Sequence, residues 1–221
     1  MNILLSVLLV VALAPPAASQ APRQTPSEVA RALQSRYQNI RDFTADFAHA
    51  YEGGVLRKQV TERGTVLIRK PGRMRWTYTS PERKEFVSDG RKLYSYIPQD
   101  RQVIVSAVPP ENEASTPALF LSGKGDIVRD FAASFADVPE ARPGTYALKL
   151  VPSQRQQDYD WLIVVVDRSS LQLRMLVTVD QQGGRSTFTF TNLKENVGLG
   201  DAPFTFKIPR GVDVITDRTE R

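Results

Sequence analysis

The sequence of 221 residues contains no cysteine and only one histidine, His49. The absence of cysteine excludes disulfide bonds, thiolate metal sites, cysteine nucleophiles and an acylated cysteine. A single histidine gives no metal-ligand spacing, and a Ser-His-Asp triad would have to use it. His49 continues the alternation of Phe43, Ala45 and Phe47, so we interpret it as a structural residue near a strand end. We therefore predict a protein that is not an enzyme and holds no cofactor or metal; a hydrolase that uses His49 is the weaker alternative.

The amino terminus lacks an apolar run long enough to span a membrane. Residues 3–14 are apolar with one exception, but a spanning helix needs about 20 such residues. Cleavage after Ser19 would leave Ala17 and Ser19 at the small-residue positions of a secretory signal peptide. We predict a signal peptide over residues 1–19 and one exported domain over residues 20–221, with a retained anchor or a buried helix as the alternative.

The excess of positive charge is small. The chain has 29 Lys and Arg residues against 24 Asp and Glu residues, for a net charge of +5. The basic residues are spread along the chain rather than gathered in one tract, which argues against a nucleic-acid partner. A weak preference for acidic partners or for an anionic membrane surface stays open.

An amphipathic helix is predicted to begin after Thr25. Thr25 is a candidate N-cap, Pro26 suits the first helical position, and Glu28 completes a capping box. Apolar residues then recur at spacings of four, four and three: Val29, Leu33, Tyr37 and Ile40. We expect a helix of about four turns that lays this apolar stripe on another part of the fold.

Most of the remaining chain has the alternation of β-strands, with turn signals such as Asp89-Gly90 between them. The predicted strands cover residues 43–47, 60–69, 74–79, 85–88, 93–97, 103–106, 146–151, 161–167, 173–179, 186–193 and 204–208. Their short connections imply antiparallel neighbours. Roughly ten such strands predict a mainly β fold, a large curved sheet or barrel covered by a few helices.

One short segment breaks the strand pattern. Residues 115–123 contain an N-cap candidate, a proline in the first turn and Gly123 at the end. A helix this small is marginal alone in water, so its apolar side must dock on something. It is either a plug of the core or a movable cover over a cavity.

The stretch RKPGRMRWTY raises the question of which face of a strand has a binding role. Its apolar residues recur at every second position: Met74, Trp76 and Tyr78. Arg73 and Arg75 lie between them, so one face is apolar and the other basic. The arginines are either a solvated strand face or a surface that docks on a partner or on lipid headgroups.

A longer stretch, RKPGRMRWTYTSPERKEFVSDGRKLYSYIPQDRQV, carries a resemblance to a known family. Its features are Lys70-Pro71, Trp76, Pro81, Val87-Ser88-Asp89-Gly90, Tyr94 and Tyr96. It resembles the signature region of the LolA family, the periplasmic carriers of outer-membrane lipoproteins in Gram-negative bacteria. Residues 116–122 are similar to the family's lid segment, and residues 204–214 to its last strand and tail. The resemblance covers nearly all of the chain that follows residue 19.

The resemblance implies a fold and a function. The expected fold is an incomplete, strongly curved antiparallel β-barrel with an α-helical lid over a hydrophobic cavity. The expected function is that of a monomeric periplasmic carrier, which binds the acyl chains of lipoproteins in this cavity. It would carry them from an inner-membrane ABC transporter (LolCDE-like) to an outer-membrane receptor (LolB-like). The alternatives are a periplasmic protein of the same fold that senses or ferries other lipids and an outer-membrane barrel, which the charged residues 217–221 disfavour.

The resemblance also implies site residues. The expected cavity residues are Leu33, Tyr37, Phe43, Phe47, Met74, Trp76 and Tyr78, although Trp76 could equally be ordinary core. The expected lid residues are Ala118, Leu119, Phe120 and Leu121. Lys70 stands where the family commonly has an arginine that hydrogen-bonds lid carbonyls. Either Lys70 is the latch, with fewer donors than arginine has, or Arg69 takes this role; the two point to opposite faces of an unbroken strand.

Overall fold

A computed structural model describes residues 24–53, 59–108, 121–123, 125–156 and 159–216. The predicted signal peptide, residues 1–19, lies outside these ranges. The described residues form two α-helices, α1 (Pro26–Gln38) and α2 (Ile127–Asp130), and a 3-10 helix (Ala202–Phe204). The strands are β1 Asp42–Glu52, β2 Gln59–Arg69, β3 Arg73–Ser80, β4 Lys84–Asp89, β5 Lys92–Ile97, β6 Gln102–Ala107, β7 Phe131–Phe135, β8 Thr145–Pro152, β9 Trp161–Asp167, β10 Leu173–Val179, β11 Arg185–Glu195 and β12 Asp213–Thr216.

All twelve strands belong to one sheet. Their order is β12-β6-β5-β4-β3-β2-β1-β11-β10-β9-β8-β7. Neighbours pair antiparallel, except for β12, which runs parallel to β6. Since β12 and β7 stand at opposite ends of this order, the sheet curls without closing. This confirms the predicted fold class, a mainly β, incomplete antiparallel barrel with few helices.

The first helix forms as its sequence predicts. The Thr25 hydroxyl accepts a hydrogen bond from the Glu28 amide at 3.3 Å, and the Glu28 carboxylate accepts one from the Thr25 amide at 2.7 Å. This capping box satisfies two of the amides that a helix start leaves without partners. Val29 and Leu33 are buried, and α1 lies against α2 and β7.

The two faces of the sheet differ in what they bury. The inner face carries the apolar side chains of β3, namely Met74, Trp76 and Tyr78, whereas the outer face carries Arg73 and Arg75. Strand β9 departs from this alternation, because its five central residues are all buried. On its outer side, Ile163 and Val165 pack in a second core cluster with Val138, which explains the unbroken apolar sequence of this strand.

The carboxyl-terminal part differs from the prediction. Residues 204–208, expected to form a strand, belong to the end of the 3-10 helix and to an irregular segment. Arg75 of β3 donates to the carbonyl of Pro203 at 2.7 Å, and the ring of Phe206 stacks on Tyr94 at 5.2 Å. This segment is therefore bound by side chains of the outer face and not by backbone pairing with a neighbouring strand. Two short edge strands, β7 and β12, were not predicted.

Gly64 of β2 provides a test of the packing on the inner face. A Cβ at Gly64 would overlap the Thr77 carbonyl oxygen and lie 2.8 Å from Cζ of Phe47. We expect Gly64→Ala to lower the free energy of unfolding by about 1–3 kcal/mol, because a packed interior has no room for the methyl group. Chemical denaturation measures the loss. Gly200→Ala is the control, since a Cβ there meets nothing within 4 Å; equal losses in both variants would contradict this interpretation.

Candidate functional site

The interior of the curled sheet is one apolar cluster. All seven predicted cavity residues belong to it: Leu33, Phe43, Phe47, Met74, Trp76 and Tyr78 are buried, and Tyr37 is partly buried. A cavity of about 20 Å³ lies between α1 and strands β9, β10 and β11. Its wall includes the predicted residues Leu33, Tyr37 and Phe43, whereas the other four are buried in the cluster away from this wall.

The volume of this cavity limits what it can hold. A buried water molecule needs roughly 10–15 Å³, so this cavity has room for about one water. This cavity is far too small for an acyl chain, so the lipid-binding role of its wall stays a prediction. Because its wall is formed by α1 on one side and by the sheet on the other, a larger ligand requires these two to separate.

Aromatic rings form the floor of the interior beside this cavity. Phe47 meets Trp76 edge-on at 5.1 Å and Tyr78 at 4.8 Å between ring centroids. Phe188 of β11 adds a further ring, 5.3 Å from Trp76. The Nε1 donor of Trp76 is buried and has no hydrogen-bond partner in the described part of the chain.

The end of the predicted lid reaches the interior. Ala118, Leu119 and Phe120 lie outside the described residues. Leu121 is 1% exposed and lines the cavity. Its carbonyl accepts a hydrogen bond from the hydroxyl of Tyr37. The next carbonyl, of Ser122, accepts one from the Gly72 amide at 3.0 Å.

Lys70 lies between α1 and the lid. Its ammonium group donates to the Tyr37 carbonyl and lies 3.1 Å from the centroid of the Tyr37 ring. Its aliphatic stem packs on Gly123, where a Cβ would come within 2.9 Å of Lys70 Cδ. The carbonyl that Lys70 binds thus belongs to α1, whereas Tyr37 makes the bond to the lid carbonyl of Leu121. The polar group of Lys70 thus reaches Tyr37 and only its stem touches the segment at Gly123, and its role as a latch stays a prediction.

The outer face of the same strands binds the chain's own carboxyl-terminal segment. Arg69 and Arg73 lie 2.7 Å and 3.5 Å from the carboxylate of Asp201. Arg75 pairs with Glu85 at 3.0 Å while it also binds the Pro203 carbonyl. Arg69 therefore points away from the lid, and the basic face predicted between the apolar residues is mostly engaged within the chain.

Burial shapes the electrostatics around Tyr37. Loss of hydration lowers the pKa of Lys70 to about 7, although the negative charge of Glu195 acts in the opposite direction. The same burial raises the pKa of the Tyr37 hydroxyl, with Glu195 as a second cause. Glu195 itself pairs with Arg36 at 2.5 Å. Near Tyr37, the amino group of Lys70 is therefore only partly protonated around pH 7, while Glu195 is neutralised by its ion pair with Arg36.

His49 lies on the inner face, at the end of β1 that is remote from Lys70. Its ring nitrogens lie 3.2 Å from Glu62 and 3.3 Å from the Ser186 hydroxyl, and Lys84 pairs with Glu62 at 2.5 Å. The sequence pattern did not indicate this group, because its members come from four separate strands. Within the described ranges, no group of three or more His, Cys, Asp or Glu residues could hold a metal ion. No helix among the described residues is long and apolar enough to cross a membrane.

Sequence comparison decides the family. The family model described as "Outer membrane lipoprotein carrier protein LolA" matches residues 38–207. The chain belongs to the LolA family. The match spans the sheet from β1 to the segment that crosses its outer face, so the family assignment covers both walls of the cavity except for most of α1.

LolA-family relatives agree over most of the chain. An outer-membrane lipoprotein carrier protein from Methylococcus capsulatus is 30% identical over 186 residues, which cover 84% of this chain and 86% of the relative. A protein of the same name from Chromohalobacter salexigens is 31% identical over 191 residues, covering 85% and 87%. The crystal structure of an uncharacterized conserved protein from Thermus thermophilus shares the fold, with a TM-score of 0.52 and 14% identity over 85% of this chain and 99% of that chain.

Lys70 predicts that stability depends on pH above neutrality. Its pKa is about 7 in the folded protein against an ordinary value of 10.5, so the unfolded chain binds more protons between these values. The free energy of unfolding should therefore rise with pH in this window, by at most about 1.4 kcal/mol per pH unit. Denaturation curves collected from about pH 7.5 to 9.5 measure this rise.

Lys70→Met is the matched variant, because methionine keeps an apolar stem and cannot titrate. The rise should be smaller in Lys70→Met than in the unaltered protein. His49 and Tyr37 do not confuse the comparison, since the pKa of His49 is lowered from 6.5 and that of Tyr37 is raised from 10, both away from the window. Identical pH profiles for the two proteins would contradict the burial of Lys70.

Proposed function

We propose that this LolA-family chain is a periplasmic lipoprotein carrier that binds acyl chains between α1 and the inner face of the sheet. The observation that carries the proposal is the apolar interior, covered by elements that are not part of the sheet. Two polar contacts bind the described end of the lid, Tyr37 to Leu121 and Gly72 to Ser122. Such a cover can separate from the sheet without breaking the strand pairing.

The energetics suit reversible loading. Each buried methylene stabilises a complex by about 0.8 kcal/mol, and the acyl chains of a lipoprotein carry dozens of methylenes. Opening exposes the apolar side of α1, including Val29 and Leu33, and an acyl chain covers the same surface again. The protein then exchanges one apolar partner for another, so that loaded and empty states differ by less than the gross burial.

The route follows the family. The leader, residues 1–19, is removed, and the domain of residues 20–221 works as a monomer in the periplasm. It accepts an acylated lipoprotein from an inner-membrane ABC transporter of the LolCDE type and passes it to an outer-membrane receptor of the LolB type. The carrier itself catalyses no reaction and needs no cofactor, because the transporter supplies the energy and the receptor binds the acyl chains more tightly.

Depletion of the protein in its own bacterium tests this function. We expect outer-membrane lipoproteins to accumulate in the inner membrane, because their acyl chains have no carrier through the aqueous periplasm. Membrane fractionation measures the distribution, and a plasmid-borne copy should restore it. Unchanged sorting would contradict the proposal. In that case, lipids that copurify with the protein would identify a sensor or carrier of other lipids.

Tyr37→Phe tests the role of the lid contact in transfer. Loss of the hydroxyl leaves the Leu121 carbonyl without its donor, which costs roughly 1–3 kcal/mol in a buried place. The closed, empty state becomes less favourable, so the variant should load acylated peptide but release it more slowly to purified receptor. Tyr94→Phe is the control, since this tyrosine lies on the outer face against Phe206. Equal transfer rates for both variants would show that the hydroxyl does not hold the lid.

A further inference from the structure

A polar cluster lies on the otherwise apolar inner face, at the end remote from Lys70. It consists of His49 on β1, Glu62 on β2, Lys84 on β4 and Ser186 on β11. His49 and Glu62 face each other directly in the register of β1 and β2, with 3.2 Å between Nδ1 and Oε2. His49 Nε2 lies 3.3 Å from the Ser186 hydroxyl, and the Lys84 ammonium lies 2.5 Å from the second carboxylate oxygen of Glu62.

The polar cluster is continuous with the aromatic floor. The imidazole of His49 stacks on Phe188, with 4.1 Å between centroids and 3° between planes. The Lys84 ammonium lies 4.5 Å from the centroid of the Tyr78 ring. A chain lying along these rings would therefore pass from apolar surroundings directly to polar groups. The side chains of His49 and Glu62 are 14% and 12% exposed, so the cluster is sheltered yet reachable.

The charges of the cluster compensate each other. Burial lowers the pKa of His49, against the pull of Glu62 and with a smaller contribution from Lys84, so the ring is neutral at pH 7. The carboxylate of Glu62 and the ammonium of Lys84 then cancel. The hydrogen-bonding capacity that remains consists of two N–H groups of Lys84 and the lone pairs of the Ser186 oxygen.

An ionic ligand suits this cluster poorly. An anion near Lys84 would also face Glu62, and a cation near Glu62 would also face Lys84. A neutral group with carbonyl acceptors meets the free donors without this repulsion. The Nε1 donor of Trp76, buried in the same aromatic floor, has no partner among the described residues and is a second candidate donor to such an acceptor.

We propose that the polar cluster is a subsite for the uncharged polar junction of an acylated ligand, the ester and amide carbonyls that join acyl chains to their headgroup. The inference rests on the proposed function and assigns an orientation to the ligand. The hydrocarbon chains lie toward α1 and β9–β11, the carbonyl groups accept from the free N–H groups of Lys84, and an amide N–H of the ligand donates to the Ser186 oxygen. Donors held in place before binding cost little further ordering, so they favour ester-linked ligands over plain hydrocarbon.

The order Ser186, His49 and Glu62 is also that of a hydrolase relay. Cleavage of an ester further requires N–H donors for the oxyanion of the intermediate. Strand β11 is paired with β1 on one side and β10 on the other, so its amides are used in the sheet. The β11 backbone therefore supplies no oxyanion hole, and we assign binding of the ester to the cluster, with hydrolysis as an outcome of the test.

Binding of three ligands to the full mature protein tests the subsite. The ligands are a synthetic triacylated cysteinyl peptide, palmitate, and the hydrocarbon dye diphenylhexatriene. We expect Ser186→Ala to weaken binding of the triacylated peptide by about 3- to 10-fold, the effect of losing one neutral hydrogen bond, and Lys84→Met to weaken it by about 10-fold or more, because Lys84 donates from a charged group. Binding of the dye should stay unchanged, because it has no acceptor. Thr187→Ala is the control, since Thr187 neighbours Ser186 on β11 but points to the opposite face.

The other outcomes are distinct. Equal loss for the peptide and the dye, or no loss for either, would overturn the subsite. A larger loss for palmitate than for the peptide would overturn it in favour of an anion site. Release of free fatty acid by the unaltered protein, abolished in Ser186→Ala, would overturn it in favour of hydrolysis. Failure of the unaltered protein to bind the peptide at all would overturn the proposed function itself. Ser186→Ala removes a single oxygen atom, so it keeps the test open if Lys84→Met does not fold.

Discussion

The contacts of Tyr37 join three parts of the molecule around the interior: α1, the β2–β3 turn and the segment that ends at Leu121. Its ring and carbonyl hold Lys70 of the β2–β3 turn, and its hydroxyl holds the Leu121 carbonyl at the end of the lid. Tyr37 itself belongs to α1, which the capping box at Thr25 fixes at its other end. A change at this one residue therefore affects the helix, the turn and the lid together, while the strand pairing stays intact.

The contacts of Tyr37 matter because the open sheet cannot cover its own inner face and depends on other elements to do so. Strands β7 and β12 are edges that do not meet, and Leu33 of α1, Leu121 and Ile127 of α2 cover part of the apolar surface between them. The cavity between α1 and strands β9–β11 measures only about 20 Å³. In the proposed function, an acyl chain competes with the protein's own side chains for this surface, and the empty protein would regain its own contacts on closing.

Local features of the fold could be predicted from the sequence. The capping residues Thr25 and Glu28 and the alternation through Met74 to Tyr78 act over a few positions, and the structure confirms them. The use of the outer face could not be predicted, because Arg75 and Pro203 meet only after the chain has crossed the sheet. The edge strands were missed for the same reason, since β12 has four exposed residues and depends on β6 for its pairing.

The same division between local and long-range features applies to the candidate site. The apolar residues of the interior follow from periodicity, whereas their partners do not. Lys70 was identified by its position in the family motif, but its binding to the Tyr37 carbonyl depends on where α1 ends relative to the β2–β3 turn. His49 was recognised as part of a strand. Its polar neighbours come from three other strands, and no short-range pattern places them together.

The central claim is that acyl chains enter only when α1 moves away from strands β9–β11. The chain has no cysteine, so spin labels can be placed on Arg31→Cys, exposed on α1, and Arg174→Cys, exposed on the outer face of β10. Pulsed electron paramagnetic resonance then measures the distance between them with and without bound triacylated peptide. The account predicts a distance distribution that shifts to longer values by several ångströms on binding. An unchanged distribution in protein shown to hold the peptide would contradict it.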